Sequence, residues 1–155
     1  MRFAKVALVA LLVCAATLVL LQAQAMKKVE KDKATYFGPA DMAQAFTKAT
    51  TLVDQPGQNF RASTGWRDKP GKVEVHENWT DIMYVISGDA TFVTGGKMIN
   101  GNSSAPGEIR SDDIEGGQTY HLQKGALVII PAGVPHWLKS VESPLVDYVV
   151  KVPKQ

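Results

Sequence analysis

The sequence has very little cysteine: Cys14 is the only one, and it lies in an apolar stretch near the start of the chain. If that stretch is removed during export, the remaining protein has neither a disulfide nor a thiol nucleophile. A glycine-rich loop of the kind that cradles phosphates before a helix is also missing, which argues against nucleotide binding. The domain must therefore be held by ordinary hydrophobic packing, and its chemistry must come from other side chains.

An excess of positive charge is absent as well once the first 25 residues are set aside. Those residues hold two of the 17 Lys and Arg and none of the 15 Asp and Glu. The rest of the chain therefore has 15 residues of each sign and a formal net charge of zero. The basic isoelectric point of the whole sequence comes largely from these first 25 residues. It therefore gives no support for nucleic-acid binding.

Residues 1–25 have the pattern of a secretory signal peptide. Arg2 and Lys5 precede an apolar run of 16 residues, Val6 to Leu21, and Ala23-Gln24-Ala25 forms a small-x-small cleavage site. The alternative is an uncleaved anchor, but the run is shorter than the ~20 residues that a membrane-spanning helix needs. We expect cleavage after Ala25, a secreted or periplasmic protein, and no stable membrane insertion after cleavage.

The remaining chain is predicted to fold as an N-terminal tail and helix, residues 26–57, and one β domain, residues 58–155. Apolar residues at three- and four-residue spacing predict a short helix over Ala40–Ala49. Asn100–Gly117 is the longest irregular stretch and is interpreted as an insertion at a barrel mouth or a cover over a site. Short apolar runs separated by Gly, Pro, Asn and Asp predict eight strands, typical of an all-β sandwich or barrel: Asn59–Thr64, Lys72–His76, Ile82–Ser87, Ala90–Thr94, Gln118–Leu122, Ala126–Ile130, His136–Val141 and Leu145–Val152.

A carboxylate and an imidazole share one face of the second predicted strand. Side chains alternate along a strand, so Glu74 and His76 project together while Val73 and Val75 project from the opposite face. If the valines pack under an outer layer, the polar pair points into the barrel. A buried carboxylate without a partner is costly, and a cation between the two residues would remove that cost.

A second histidine follows a buried strand and a stiff turn. The segment from Gly125 to His136 contains an apolar strand and then a turn with Pro131 and Pro135. Because proline fixes the backbone, this turn determines where His136 points, which a ligand position requires. His121 lies outside this arrangement and is expected to be a partly exposed strand residue without a ligand role.

At these residues the chain resembles the cupin superfamily. The second cupin motif, G-x5-P-x-G-x2-H-x3-N, is matched by Gly125, Pro131, Gly133 and His136, with Ser140 in place of the usual Asn. The first motif, H-x-H-x3–4-E-x6-G, aligns with Glu74, His76, Asp81 and Gly88. The likeness covers about residues 58 to 152. It implies a jelly-roll barrel, the cupin-type double-stranded β-helix, with a short N-terminal helix.

The resemblance also implies a metal site formed by Glu74, His76, Asp81 and His136. Two carboxylates replace one His and one Glu of the usual set of three His and one Glu, and the remaining set suits Fe(II), Mn(II), Zn(II) or Ni(II). The leading hypothesis is an exported cupin metalloprotein that binds a small polar or anionic ligand, with dioxygenase, isomerase or lyase chemistry open. The alternative is a metal-free, non-catalytic module that binds a sugar or an acid. The resemblance further implies a homodimer, because open jelly-roll edges need covering.

Overall fold

A computed structural model describes residues 27–155, which form one short helix and eleven strands. None of the helices in this range is long and apolar enough to span a membrane. The expected signal peptide, residues 1–25, lies outside the described residues. The elements are helix α1 (Pro39–Ala45) and strands β1 (Thr50–Val53), β2 (Arg61–Arg67), β3 (Val73–His76), β4 (Trp79–Thr94), β5 (Lys97–Ile99), β6 (Asn102–Ala105), β7 (Glu108–Ser111), β8 (Asp113–Glu115), β9 (Gln118–Gln123), β10 (Leu127–Ile130) and β11 (His136–Pro153).

Nine of these strands form one antiparallel sheet system, and β5 and β8 form a separate pair. One path runs β1-β2-β11-β3-β7-β6, and β4 joins it through β11 while also pairing with β9 and β10. The prediction of an all-β fold with a short N-terminal helix is confirmed.

Two long strands replace four of the predicted short ones. Ile82–Ser87 and Ala90–Thr94 are both part of β4, and β11 likewise joins the last two predicted strands. Gly88 does not end a strand: it has φ +94, and a Cβ there would overlap the Pro144 carbonyl oxygen and lie 2.6 Å from the Leu145 Cα. The chain therefore bends at Gly88, where β4 lies against the irregular middle of β11, and continues as a strand.

The N-terminal helix is shorter than predicted. Its expected end was Ala49, but α1 ends at Ala45 and a turn follows, in which Thr47 donates a hydrogen bond to the Gln44 carbonyl. The β-branched sequence from Thr50 instead forms β1 against β2, and the buried Thr64 hydroxyl donates a 2.7 Å hydrogen bond to the Ala45 carbonyl. The chain turns after Ala45 and enters the sheet at Thr50, so the helix stops before the end of its apolar pattern.

The prediction that Asn100–Gly117 is irregular is wrong, because this stretch contains β6, β7 and β8. β7 pairs with β3 on one side and with β6 on the other, so this stretch extends the main sheet. The prediction missed it because its strands are only three or four residues long and are rich in polar residues.

Alternation along β4 separates a core face from an outer face. Met83 and Val85 are buried while Tyr84 between them is 45% exposed. Phe92, further along the strand, is almost fully buried in the main core cluster. The cluster packs the inner faces of several strands together, and its buried members are Met83, Val85, Ala90, Phe92, Leu122, Ile130, Leu138 and Leu145.

Candidate metal centre

Strand β3 buries its two valines on one face and directs Glu74 and His76 on the other face toward the barrel interior. Val73, on the opposite face, is fully buried and packs with Val93 and Ile114 in a separate apolar cluster. The valines therefore occupy an outer layer, as the sequence suggested, and the polar pair lines the interior cavity.

His136 reaches the same place from the start of β11. Its backbone is the Cα partner of Glu74 across the strands, and the preceding turn is fastened by a 2.8 Å hydrogen bond from the Gly133 N–H to the His76 carbonyl. The turn with its two prolines thus brings the imidazole next to β3, which is the role that the sequence predicted for it.

The ligand atoms of Glu74, His76 and His136 converge, each within 4.8 Å of the others. The Glu74 Oε2 atom is 3.5 Å from His76 Nε2 and 3.9 Å from His136 Nε2. The two imidazole rings are tilted with their centroids 5.1 Å apart. Such a cluster of two imidazoles and one carboxylate could hold a metal ion.

Both histidines have partners that fix the ring orientation. His136 Nδ1 lies 3.1 Å from the Val134 carbonyl, which can only accept, so Nδ1 must carry the proton. His76 Nδ1 lies 2.6 Å from the Glu108 carboxylate, so Nδ1 carries the proton in the His76 ring as well. Each Nε2 atom is therefore left with a lone pair directed at the cluster, as histidine ligands of metals require.

Asp81, the fourth predicted ligand, lies beside the three converging residues. Its Oδ2 atom is 3.5 Å from His76 Nε2 but only 2.6 Å from the Lys151 ammonium. Its Oδ1 atom is buried and has no hydrogen-bond partner among residues 27–155. Because a buried carboxylate oxygen without a partner is unfavourable, this atom leaves Asp81 incompletely satisfied by the protein alone.

Two residues of β7 complete the surroundings, and the sequence analysis missed Glu108. In the β3–β7 pair, Glu74 faces Arg110 and His76 faces Glu108. The Arg110 guanidinium lies 3.5 Å from Glu74 and 3.6 Å from Glu108 and so links the two carboxylates. The alternation of polar and apolar residues from Glu108 to Ser111 was the available signal, but it lay within the stretch predicted to be irregular.

The electrostatics of the cluster keep Glu74 charged and His136 neutral. Burial alone would raise the pKa of Glu74, but the contact with His76 and the positive charges of Arg110 and Arg67 lower it to about 2. Burial lowers the pKa of His136 below its usual 6.5, although Val134 and the nearby carboxylates oppose this. An anionic carboxylate beside a neutral imidazole is the protonation state that metal binding needs.

The cluster lies in a cavity of about 430 Å³ that contains charged groups of both signs. Asp147 is a fully buried acid in its wall, 3.2 Å from the Arg67 guanidinium, and burial raises its pKa. Gly65 is required beside it, because a Cβ there would overlap the Asp147 carboxylate. Asp147 was not predicted from the sequence. The other charged residues of the lining are Lys72, Glu74, Asp81, Glu108, Arg110 and Lys151.

Two polar residues, His121 and Arg61, lie away from this centre. The His121 side chain on β9 is 57% exposed and pairs with Asp89, so it has no part in the cluster. Arg61 forms a 3.0 Å ion pair with Asp54 and stacks over Trp79, and it does not line the cavity.

An antiparallel β fold with histidines and carboxylates that converge in its interior defines a β-barrel protein with a candidate metal site. The cupin family model matches residues 72–152, more than half of the chain, and the chain therefore belongs to the cupin family. The fold is accordingly the predicted jelly roll. Glu74, His76 and His136 all lie within the matched range.

Solved structures show the same fold. A protein from Bacillus halodurans is similar over 83% of this chain and 88% of its own, with 16% identity and a TM-score of 0.56. An uncharacterised conserved protein with a double-stranded β-helix domain from Klebsiella pneumoniae is similar over 79% of this chain and 93% of its own, with 17% identity and a TM-score of 0.51. No curated protein matches the sequence.

Proposed function

We propose that the protein is an exported cupin metalloprotein that binds one divalent transition metal through Glu74, His76 and His136, with Asp81 beside them. The observation that carries this proposal is the convergence of two histidine Nε2 lone pairs on one carboxylate, with both Nδ1 atoms held by other partners. Fe(II), Mn(II), Zn(II) and Ni(II) all accept this donor set.

We further propose a small polar or anionic ligand for the cavity. A volume of about 430 Å³ lies within the range of small-molecule sites. Arg67, Arg110 and Lys151 contribute cationic groups to its wall, and Asp147 contributes a buried acid. A bound metal would act as a Lewis acid toward such a ligand, and dioxygenase, isomerase or lyase chemistry is compatible with that role.

Elemental analysis tests the metal proposal. The protein would be expressed from its full-length chain, purified without chelators or a His-tag, and assayed for transition metals beside His76→Ala. We expect about one equivalent of metal in the wild type, following the single cluster of ligands, and its loss in the variant. A wild type that stays metal-free after incubation with Fe(II), Mn(II), Zn(II) and Ni(II) would overturn the proposal.

A specific observation favours a second candidate, a metal-free module for binding a sugar or an acid. Several of the acidic groups already have cationic partners, since Arg110 contacts Glu74 and Glu108 while Lys151 contacts Asp81. In that case the same residues would hydrogen-bond the ligand directly. Thermal shifts measured with a panel of sugars and organic acids, in the presence of a chelator, distinguish this candidate from the first.

Export and dimer formation are part of the proposal. The pattern of residues 1–25 supports export, and N-terminal sequencing of the purified protein should begin after Ala25. Strand β10 supports a homodimer, because within residues 27–155 it pairs with β4 alone and exposes Leu127 and Ile129 by 59% and 60%. Light scattering at micromolar concentration should give twice the monomer mass, and a monomer mass would contradict the dimer.

A further inference from the structure

The ion pair between Asp81 and Lys151 is built into the two longest strands. The two residues are direct cross-strand partners on β4 and β11, and both side chains face the cavity. The Lys151 Nζ atom is 2.6 Å from Asp81 Oδ2, with the side chains 22% and 9% exposed. A charge-assisted hydrogen bond this short, largely shielded from water, fixes the position of the carboxylate.

The lysine binds the Asp81 oxygen atom that lies beside His76. Asp81 Oδ2 is the carboxylate atom 3.5 Å from His76 Nε2, and it is the same atom that accepts from Lys151. Asp81 is also not one of the three residues whose ligand atoms converge within 4.8 Å. A metal ion coordinated by Oδ2 would therefore have to compete with the Lys151 ammonium group for that oxygen.

We infer that Lys151 is a positioning residue that holds Asp81 out of the coordination sphere, so that the metal takes three protein ligands, Glu74, His76 and His136. This inference rests on the function proposed above and deepens it. The position that Asp81 would otherwise fill is left for an exogenous ligand, and the ammonium beside it favours a ligand that carries an anionic group, such as a carboxylate.

The charge of Lys151 has a second consequence. An ammonium group beside the cluster repels a divalent cation, and this repulsion is only partly screened in a site that is mostly buried. The wild-type site should therefore bind a metal more weakly than the same site with a neutral residue at position 151. The Lys151→Met variant keeps the length and packing of the aliphatic stem while removing the charge.

Co(II) is a suitable probe, because its visible absorption reports coordination number and its affinity is measured by competition with an indicator chelator. We expect Lys151→Met to bind Co(II) at least about tenfold more tightly. Its spectrum should shift toward a higher coordination number as Asp81 is released. The double variant K151M/D81N should not show that spectral shift.

Two variants serve as controls. Lys97→Met removes an exposed lysine of β5 that does not line the cavity, and it should leave Co(II) affinity and spectrum unchanged. Lys151→Arg keeps the positive charge and should retain the wild-type spectrum. Circular dichroism and thermal unfolding of each variant establish that it is folded before metal is added.

Asp81→Asn in the wild-type background distinguishes an Asp81 held outside the coordination sphere from an Asp81 that coordinates the metal. We expect an unchanged Co(II) spectrum and a loss of affinity smaller than about tenfold, the effect of one nearby charge. A changed spectrum with a loss beyond about a hundredfold, more than an outer partner explains, would show that Asp81 is a ligand and overturn the inference. An unchanged spectrum and affinity in Lys151→Met would overturn it too. Both outcomes leave the metal proposal intact, whereas no Co(II) binding by either wild type or Lys151→Met overturns both.

Discussion

Glu108 holds His76 from the side opposite to the candidate metal position, with 2.6 Å between the Glu108 Oε2 atom and His76 Nδ1. The two residues are direct partners across β7 and β3. A carboxylate that accepts from a histidine Nδ1 fixes the ring orientation and makes Nε2 a better donor to a metal. Part of the predicted insertion therefore supports the site without contributing a ligand.

Removal of this support should weaken metal binding without abolishing it. We expect Glu108→Gln to reduce Zn(II) or Co(II) affinity about 10- to 100-fold, the range found for outer partners of metal-ligating histidines. Isothermal titration of the variant against the wild type measures the change. Glu115→Gln, on an exposed residue of β8, is the matched control and should bind as the wild type does. An affinity equal to that of the wild type in Glu108→Gln would show that Glu108 has no orienting role.

The residues that converge in the site could be found from local sequence patterns. The alternation of side chains placed Glu74 and His76 on one face of β3, and the turn with Pro131 and Pro135 predicted a fixed orientation for His136. These features depend on a few consecutive residues, so no knowledge of distant strand pairing was needed to predict them.

The remaining features depend on how distant strands pair. Glu108 contacts His76 across 32 positions of sequence, and Lys151 contacts Asp81 across 70. Strand register decides both contacts, and a single sequence does not contain the register. The same limit explains the two long strands: Gly88-Asp89 is a typical turn sequence, and only the crossing of β4 and β11 keeps it within a strand.

The bend at Gly88 should tolerate no side chain. Its φ of +94 is unfavourable for other residues, and a Cβ would also overlap the backbone at Pro144. We expect Gly88→Ala to lower the free energy of unfolding by at least about 2 kcal/mol, since strain and overpacking add. Urea denaturation measures this loss.

Gly125→Ala is the control for backbone strain alone. Gly125 has a similar φ of +91, but a Cβ there would meet nothing within 4 Å. Gly125→Ala should lower the free energy of unfolding by about 1 kcal/mol, the penalty of a left-handed conformation. Equal losses in the two variants would mean that the close approach at Gly88 contributes nothing to stability.

His136 is expected to be necessary for metal retention but not for folding. His136→Ala should lose most of the bound metal, because it removes one of three converging ligands, and should keep the far-ultraviolet circular dichroism of the wild type. His121→Ala is the matched control, since His121 is an exposed strand histidine. Elemental analysis of both variants decides the assignment. Wild-type stoichiometry in His136→Ala would exclude His136 as a ligand.

The stability of the metal-free protein should decrease as the pH falls below about 6.5, because His136 is buried in its neutral form. The folded-state pKa of His136 lies below that of the unfolded chain, so the unfolded chain binds more protons in this window. Thermal unfolding between pH 7.5 and 5 in the presence of a chelator measures the effect. His136→Gln should reduce the slope of Tm against pH. Glu74 acts at lower pH: its pKa of about 2 means that its contribution is lost only as the pH falls below about 4.5. A slope that is the same in wild type and His136→Gln would contradict the assignment to His136.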